Sequence, residues 1–376
     1  MNFPSNLNEK LEARRFNETL RSLPRQNDLI DFSSNDYLGF SRSELISNQV
    51  MEEMKTHDPS VGSSGSRLLS GNFDFHEALE IQLAGFFQAE AALLFNSGYD
   101  ANIGLLSSVP QRGDSIFYDE FSHASIRDGI RLSNAKNFGF KHNDLNDLRN
   151  KIERTSSEGE AYVIVESVYS MDGDSAPLRE LVDLSIEMGF KLIVDEAHST
   201  GIYGSLGQGM VVEKQLESFV FARIHTFGKA LGCHGATVVG SQKLIQYLIN
   251  FARSFIYTTA MPLFSVLTIK YAILALAETN ERELLNQNIS FFRERITALK
   301  LDDIFIKSSS PIQSSVFDSP KRVKELSVKL RDHNFDAKSI LSPTVPLGKE
   351  RIRFCIHSYN TSSEIQEVLF LLSTFV

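Results

Sequence analysis

The chain is predicted to be an α/β protein, with a large domain on a mainly parallel sheet covered by helices and a small C-terminal α+β domain. Three observations lead there. At 376 residues it is too long for one ordinary small domain. Short apolar runs alternate with segments of 3.6-residue periodicity through its middle, the pattern of strands and crossover helices. The last stretch instead mixes short strands with helices. The expected organisation is an N-terminal helix and arm over 1–45, a large domain over 46–282 and a small domain over 283–376.

Taken in order, residues 6–21 form a charged amphipathic helix. An irregular segment follows, through Asp31-Phe-Ser-Ser-Asn-Asp-Tyr-Leu-Gly39. The Gly/Ser-rich loop Val61–Arg67 precedes a helix over 74–88, with Asp74 as its N-cap. Strands are expected at Ala92–Phe95, Ser115–Tyr118, Tyr162–Glu166, Lys191–Asp195, Val220–His225 and Thr237–Gly240. Helical patterns fill Asn102–Ser107, Ser122–Leu132, Leu178–Met188 and Gln242–Ala252. Long helices over 262–280 and 283–299 close the large domain. Strands Ser314–Phe317 and Arg351–Ile356 and helices over 320–332 and 361–374 complete the chain.

Composition narrows the function. Hydrophobic residues at 42% and charged residues at 23% are ordinary globular values, so a full core is within reach. A net charge of −9 argues against nucleic acid as the main partner, because phosphate backbones want a basic surface. Cys233 and Cys355 lie far apart, which makes a disulfide framework improbable and fits a reducing compartment. The N-terminus lacks the apolar core of a secretory signal, and no run approaches the ~18 apolar residues of a membrane span. A cytoplasmic protein is expected.

Several chemistries find no motif. No G-x-G-x-x-G follows a strand, and the glycines of Gly201–Gly209 sit in a turn-rich stretch. Gly228-Lys229 hints at a phosphate loop, but Arg223 and Ala230 stand where Gly and Ser or Thr are needed. There is no G-x-S-x-G and no H-E-x-x-H. The nine His residues do not cluster at metal spacing, so no metal is expected.

Four features do belong together. Asp195 ends an apolar strand in Ile193-Val-Asp-Glu-Ala-His-Ser-Thr-Gly201, and in a parallel sheet that end is where ligands bind. Lys229 follows another apolar strand in His225-Thr-Phe-Gly-Lys-Ala230. Phe95-Asn-Ser-Gly-Tyr99 joins a strand to a helix and offers backbone N–H groups to a phosphate. His123 follows a further strand. Chemistry based on pyridoxal 5′-phosphate (PLP) needs these parts: a lysine for the Schiff base and α-proton transfer, and a carboxylate beside the pyridine nitrogen. An adjacent opposite charge favours the pyridinium by about 1.4 kcal/mol per pKa unit. An aromatic group on the ring and a donor to its phenolic oxygen finish the site. Asp195, Lys229, His123 and His198 supply the carboxylate, the amine, the stacked ring and the donor.

These residues resemble the α-oxoamine synthases, a family of fold-type I PLP enzymes, over nearly the whole length. The resemblance rests on Phe32–Gly39, Gly62–Arg67 with Ser70-Gly71, Asn96–Tyr99, Ser122-His-Ala-Ser125, Ser170-Met-Asp-Gly-Asp174, Asp195-Glu-Ala-His198, Thr226-Phe-Gly-Lys229, and Pro343–Pro346 with Arg351-Ile-Arg353. It implies that Lys229 carries PLP, that Asp195 pairs with the pyridine nitrogen, and that His198 and Ser170 meet the phenolic side. His123 would stack on the ring and hold substrate. Backbone of Gly98 and Tyr99 and the Thr226 hydroxyl would hold the phosphate, joined by Thr258 and Thr259 of a partner subunit in a homodimer. Arg353 would bind the substrate carboxylate and Arg21 the acyl substrate. The implied reaction is a decarboxylative Claisen condensation, with L-alanine and a pimeloyl thioester on CoA or acyl carrier protein as the leading pair. Relatives using glycine or serine, and a PLP-binding protein without condensation chemistry, are the alternatives.

Taken singly, these residues have blander explanations. Asp195 could cap a turn, Lys229 could be a solvated lysine, and both histidines could be structural. Arg351 and Arg353 share a strand face, so geometry alone does not choose between them. Ser199 and Ser64 replace usual family glycines. Cys355 and His357 stand where small hydroxyl residues are frequent, and Cys355 occupies a position that meets substrate.

Overall fold

The computed structural model describes residues 3–17, 19–21, 23, 28–58, 61–155 and 158–376. After the two-residue strand β1 (Ile30–Asp31), seven strands build one sheet: β2 (Ala91–Phe95), β3 (Ser115–Asp119), β4 (Lys136–Phe140), β5 (Ala161–Glu166), β6 (Lys191–Asp195), β7 (Ala222–Thr226) and β8 (Ala236–Gly240). Their order is β2-β8-β7-β6-β5-β3-β4. All neighbours are parallel except β8, which runs antiparallel to both β2 and β7. The double reversal at β8 leaves β2 pointing the same way as β3 to β7, so six carboxyl ends share one edge.

The apolar runs have their reason in this architecture. Ile164 and Ile193 enter a core with helices Gly98–Ser108, Ala124–Leu132 and Gln242–Phe251. Val163, Val165, Leu192 and Val194 enter the opposite core, against helix Leu178–Met188. With both faces covered, consecutive positions must be apolar. The expected strands all form, each within two residues of its predicted limits.

The C-terminal part holds β9 (Ile312–Phe317), β10 (Phe335–Asp336), β11 (Lys338–Ile340) and β12 (Glu350–Cys355). β11, β12 and β9 form an antiparallel sheet in that order, while β10 pairs with β1. The arm segment is therefore part of the fold rather than an appendage. Cys355 N–H donates to Phe32 O at 2.8 Å and Ser358 N–H to Tyr37 O at 2.9 Å. Phe32 and Tyr37 are fully buried.

Three details differ from expectation. The first helix runs Ser5–Phe16, with no buried residue to extend it toward 21; residue 18 lies outside the described residues. Asp74 is the first residue of helix Asp74–Phe86 rather than its cap: His76 Nδ1 accepts the Phe73 N–H at 3.3 Å, which starts the helix one residue earlier. Helices Glu44–Met54 and Leu145–Arg154 and strands β4, β10 and β11 were not anticipated. β4 is an edge strand whose Lys-Asn-Phe-Gly-Phe sequence buries only Phe140, so it carries no apolar run.

Candidate active site

The shared carboxyl edge collects the predicted residues. The strand order changes direction at β3, with β4 on one side and β5 to β7 on the other, and ligand crevices form at such switch points. Asp195 is the last residue of β6, Thr226 the last of β7, His123 follows β3, Ser170 follows β5, and Gly98 follows β2.

Lys229 sits on the hairpin between β7 and β8. Phe227 N–H donates to Gly235 O at 2.9 Å, Cys233 N–H to Phe227 O at 2.8 Å and Gly232 N–H to Lys229 O at 2.8 Å. Gly232 has φ +62°, and a Cβ there would lie 2.1 Å from Ser41 N, so only glycine turns the chain against the arm. Among the described residues the Lys229 amine has no hydrogen-bond or ion-pair partner. Burial lowers its pKa, and the charges of Asp195 and then Glu166 oppose that shift. It is a partly desolvated amine facing carboxylates, the state a nucleophilic lysine needs.

Asp195 is held in place. Its Oδ2 accepts from Asn102 Nδ2 at 2.8 Å and its Oδ1 from Ala197 N–H at 2.9 Å. Asn102 Nδ2 also donates to Ser125 Oγ at 3.1 Å, and Ser125 Oγ lies 2.8 Å from His123 Nδ1. His123 itself is exposed to the open side of the site, and the charges of Lys229 and Asp195 both act on it. Its backbone N–H donates to Glu166 Oε1 at 2.6 Å. Glu166 stands opposite Asp195 in the register of β5 and β6 and is 3% exposed. Burial raises its pKa, and repulsion from Asp195 adds to that.

His198 is buried, with Nδ1 2.8 Å from the Tyr37 hydroxyl. Desolvation, followed by the Lys229 and Arg353 charges, keeps it neutral, well below the usual histidine range. Arg353 donates from Nε to Ser170 O at 2.7 Å and from Nη2 to Asn35 Oδ1 at 3.0 Å. Cys355 is fully buried on the same strand, and its thiol interacts with Arg353 and Lys229. Arg351 is ion-paired to Asp172. Ser199 fits its place by bridging Ser167 Oγ, at 2.9 Å, and the Glu196 carboxylate.

A phosphate cradle is present. Ser97 caps helix Gly98–Ser108 by accepting from Asp100 N–H at 3.0 Å. The Gly98 and Tyr99 N–H groups belong to the turn that has no partners inside its helix. A Cβ on Gly98 would come within 3.2 Å of Thr226 Oγ1, so the bare glycine keeps that hydroxyl open beside the helix end. The expected PLP therefore meets a fitting set: an unpartnered amine, a buried carboxylate, an imidazole and an anion cradle on one edge.

The Tyr99 hydroxyl donates to Asp128 Oδ2 at 2.6 Å, which leaves the role expected of its backbone N–H unaffected. Thr258 Oγ1 and Thr259 O accept from Asn96 Nδ2 of the same chain at 2.9 Å each. Arg21 is exposed and meets no described residue of the site. Sequence reasoning missed Glu166, Asn102, Asn35 and Tyr37 as site residues. Glu166 carries the signal that marked Asp195, an acid ending an apolar strand; Asn102, within a helical pattern, carries none.

Comparisons with known proteins identify the family. The aminotransferase class I and II family matches residues 27–370. An 8-amino-7-oxononanoate synthase of Emericella nidulans is 39% identical over 373 residues, covering 92% of this chain and 89% of that protein. A putative 8-amino-7-oxononanoate synthase of Bacillus cereus is 38% identical, covering 90% and 85%. Among solved structures, a serine palmitoyltransferase from S. paucimobilis with bound PLP superposes with a TM-score of 0.89 at 26% identity, covering 99% and 96%. The 8-amino-7-oxononanoate synthase of Francisella tularensis gives 0.79 at 31% identity, covering 93% and 98%.

Proposed function

Because this chain belongs to the class I and II aminotransferases, and within them to the α-oxoamine synthases, we propose that it is a PLP-dependent 8-amino-7-oxononanoate synthase. It condenses L-alanine with a pimeloyl thioester, releasing CO2 and the free thiol carrier, in biotin biosynthesis. The observation that carries this reading is the pair Lys229 and Asp195: an amine without a partner among the described residues, on the hairpin after β7, and a pinned carboxylate at the end of the adjacent β6. PLP, when bound, supplies the electron sink for the carbanion that attacks the thioester.

The chain's own residues do the rest. Lys229 Nζ would hold the cofactor and would accept the substrate α-proton; its lowered pKa suits a base near neutral pH. Asp195, fixed by Asn102 and the Ala197 N–H, would hold a proton on the pyridine nitrogen. His123, exposed on this edge, would stack on the ring and orient substrate. His198, with Nδ1 2.8 Å from the Tyr37 hydroxyl, would meet the phenolic side of the ring together with Ser170. Gly98 and Tyr99 N–H and the Thr226 hydroxyl hold the phosphate. Arg353, without a carboxylate partner among the described residues, takes the substrate carboxylate beside Cys355, and Arg21 takes the acyl substrate. The working form is a homodimer in the cytoplasm, in which Thr258 and Thr259 reach the partner's phosphate. Exposed Leu69 and Tyr257, 86% and 71% accessible, support such a contact. No helix of the described residues is long and apolar enough to cross a membrane.

The test is turnover with alanine, glycine and serine against several acyl-CoAs, the ketone product identified by mass. Activity only with serine and palmitoyl-CoA would overturn the reading in favour of the palmitoyltransferase chemistry of the other structural neighbours.

A further inference from the structure

His142 lies just outside the site and is used by none of the steps above. Both of its ring nitrogens meet carboxylates: Nδ1 is 2.9 Å from Asp119 Oδ1 and Nε2 is 2.7 Å from Asp174 Oδ2. Both carboxylates are acceptors here. Asp119 Oδ1 also takes the Phe121 N–H at 2.8 Å and its Oδ2 the Asn143 N–H at 2.9 Å, while Asp174 Oδ2 also takes Asn143 Nδ2 at 2.9 Å. An imidazole that donates from both nitrogens is the cation. Its surroundings favour that form. Phe121 stacks on the ring at 4.3 Å, Tyr169 packs edge-on at 4.5 Å, and Glu120 Oε1 accepts the His142 N–H at 3.1 Å. Asp172 is the further charge that feels it. Burial alone would lower the His142 pKa, but the bonds to Asp119 and Asp174 outweigh it and raise it to about 10.

The two carboxylates belong to two walls of the site. Asp119 ends β3 and turns the segment that reaches His123, through its bond to Phe121 N–H and the Ser122 N–H bond to its own carbonyl. Asp174 closes the turn that carries Ser170, its carbonyl accepting the Tyr169 N–H at 2.9 Å. That turn also gives Ser170 O to Arg353. We propose that His142 is a positioning residue whose fixed positive charge, shared between Asp119 and Asp174, holds the His123 and Ser170 segments in register around the cofactor. This rests on the reading that PLP occupies the site.

Two measurements on the full chain test it. In histidine-15N-labelled wild-type holoenzyme, long-range 1H–15N spectra should show one imidazolium persisting at pH 8.5, assigned by its loss in His142→Asn. Asp174→Asn, which leaves one carboxylate, should move its titration to lower pH. A neutral His142 at pH 8.5, or an unmoved midpoint in Asp174→Asn, overturns the proposal. In parallel, PLP dissociation constants are read by absorbance. His142→Asn should bind PLP about tenfold more weakly, the worth of one charge-assisted hydrogen bond; wild-type affinity overturns the proposal. If His142→Asn does not fold, the wild-type and Asp174→Asn spectra still decide. Failure of wild type itself to bind PLP would strike the function reading instead, and the spectra would separate the two.

Discussion

Arg351 and Arg353 leave β12 two residues apart and reach the same turn, Arg351 ending on the Asp172 carboxylate and Arg353 on the carbonyl of Ser170. One guanidinium is neutralised by the protein, and the other keeps capacity for a ligand. Arg353→Ala is expected to raise KM for the amino acid by about a hundredfold, the scale of a lost bidentate carboxylate contact, with a smaller effect on folding. Arg351→Ala should instead lower Tm, because it strands Asp172 in a half-dry place. Steady-state kinetics and thermal melts of the two variants check the division; equal KM effects would refute it.

Lys229→Ala should abolish absorbance near 420 nm in PLP-treated protein and reduce ketone formation by about a thousandfold or more.

Asp195→Asn removes the charge and keeps one acceptor oxygen, enough for either Asn102 or the Ala197 N–H. Turnover should fall by two orders of magnitude or so, with PLP still bound, because electrostatic stabilisation is lost and the cradle is not. Single-turnover rates beside PLP titrations separate the two effects.

Gly98→Ala places a methyl 3.2 Å from Thr226 Oγ1 and 3.3 Å from its Cβ, tighter than ordinary packing. Either the hydroxyl moves or the helix end does, and PLP affinity should drop about tenfold or more. Thr226→Ala, which loses one neutral hydrogen bond worth about 1 kcal/mol, should be milder. Fluorescence titration with PLP ranks them.

The His142 pair gives a pH dependence whose sign can be worked out. The folded pKa, about 10, lies above the ordinary value of 6.5. Between those values the folded protein holds a proton that the unfolded chain has released. Its contribution is full below pH 6.5 and is lost as pH rises toward 10. Denaturant melts from pH 6 to 10 should show stability falling with pH, with a flatter profile in His142→Asn.

Much of this was legible in the chain. Strands buried on both faces announce themselves as apolar runs, and Asp195 and Lys229 follow such runs. β4 escaped because an edge strand needs no apolar face on its free side. Glu166 was legible in principle, yet its partner, the His123 backbone, is 43 residues away and no pattern links them. Asn35 and Tyr37 lie in a segment whose shape comes from Asp31 Oδ1 accepting the Ser33 and Ser34 N–H groups and from its docking on Cys355 and Ser358. Such tertiary placement leaves no periodicity to read.

The amine and the guanidinium have different anchors. A hairpin of the seven-stranded sheet fixes Lys229, so a short, local stretch of chain is enough to aim it. Arg353 hangs from the three-stranded sheet. Small relative motions of the two sheets would thus loosen the grip on substrate while leaving the covalent anchor aimed, so product could depart without the cofactor following it.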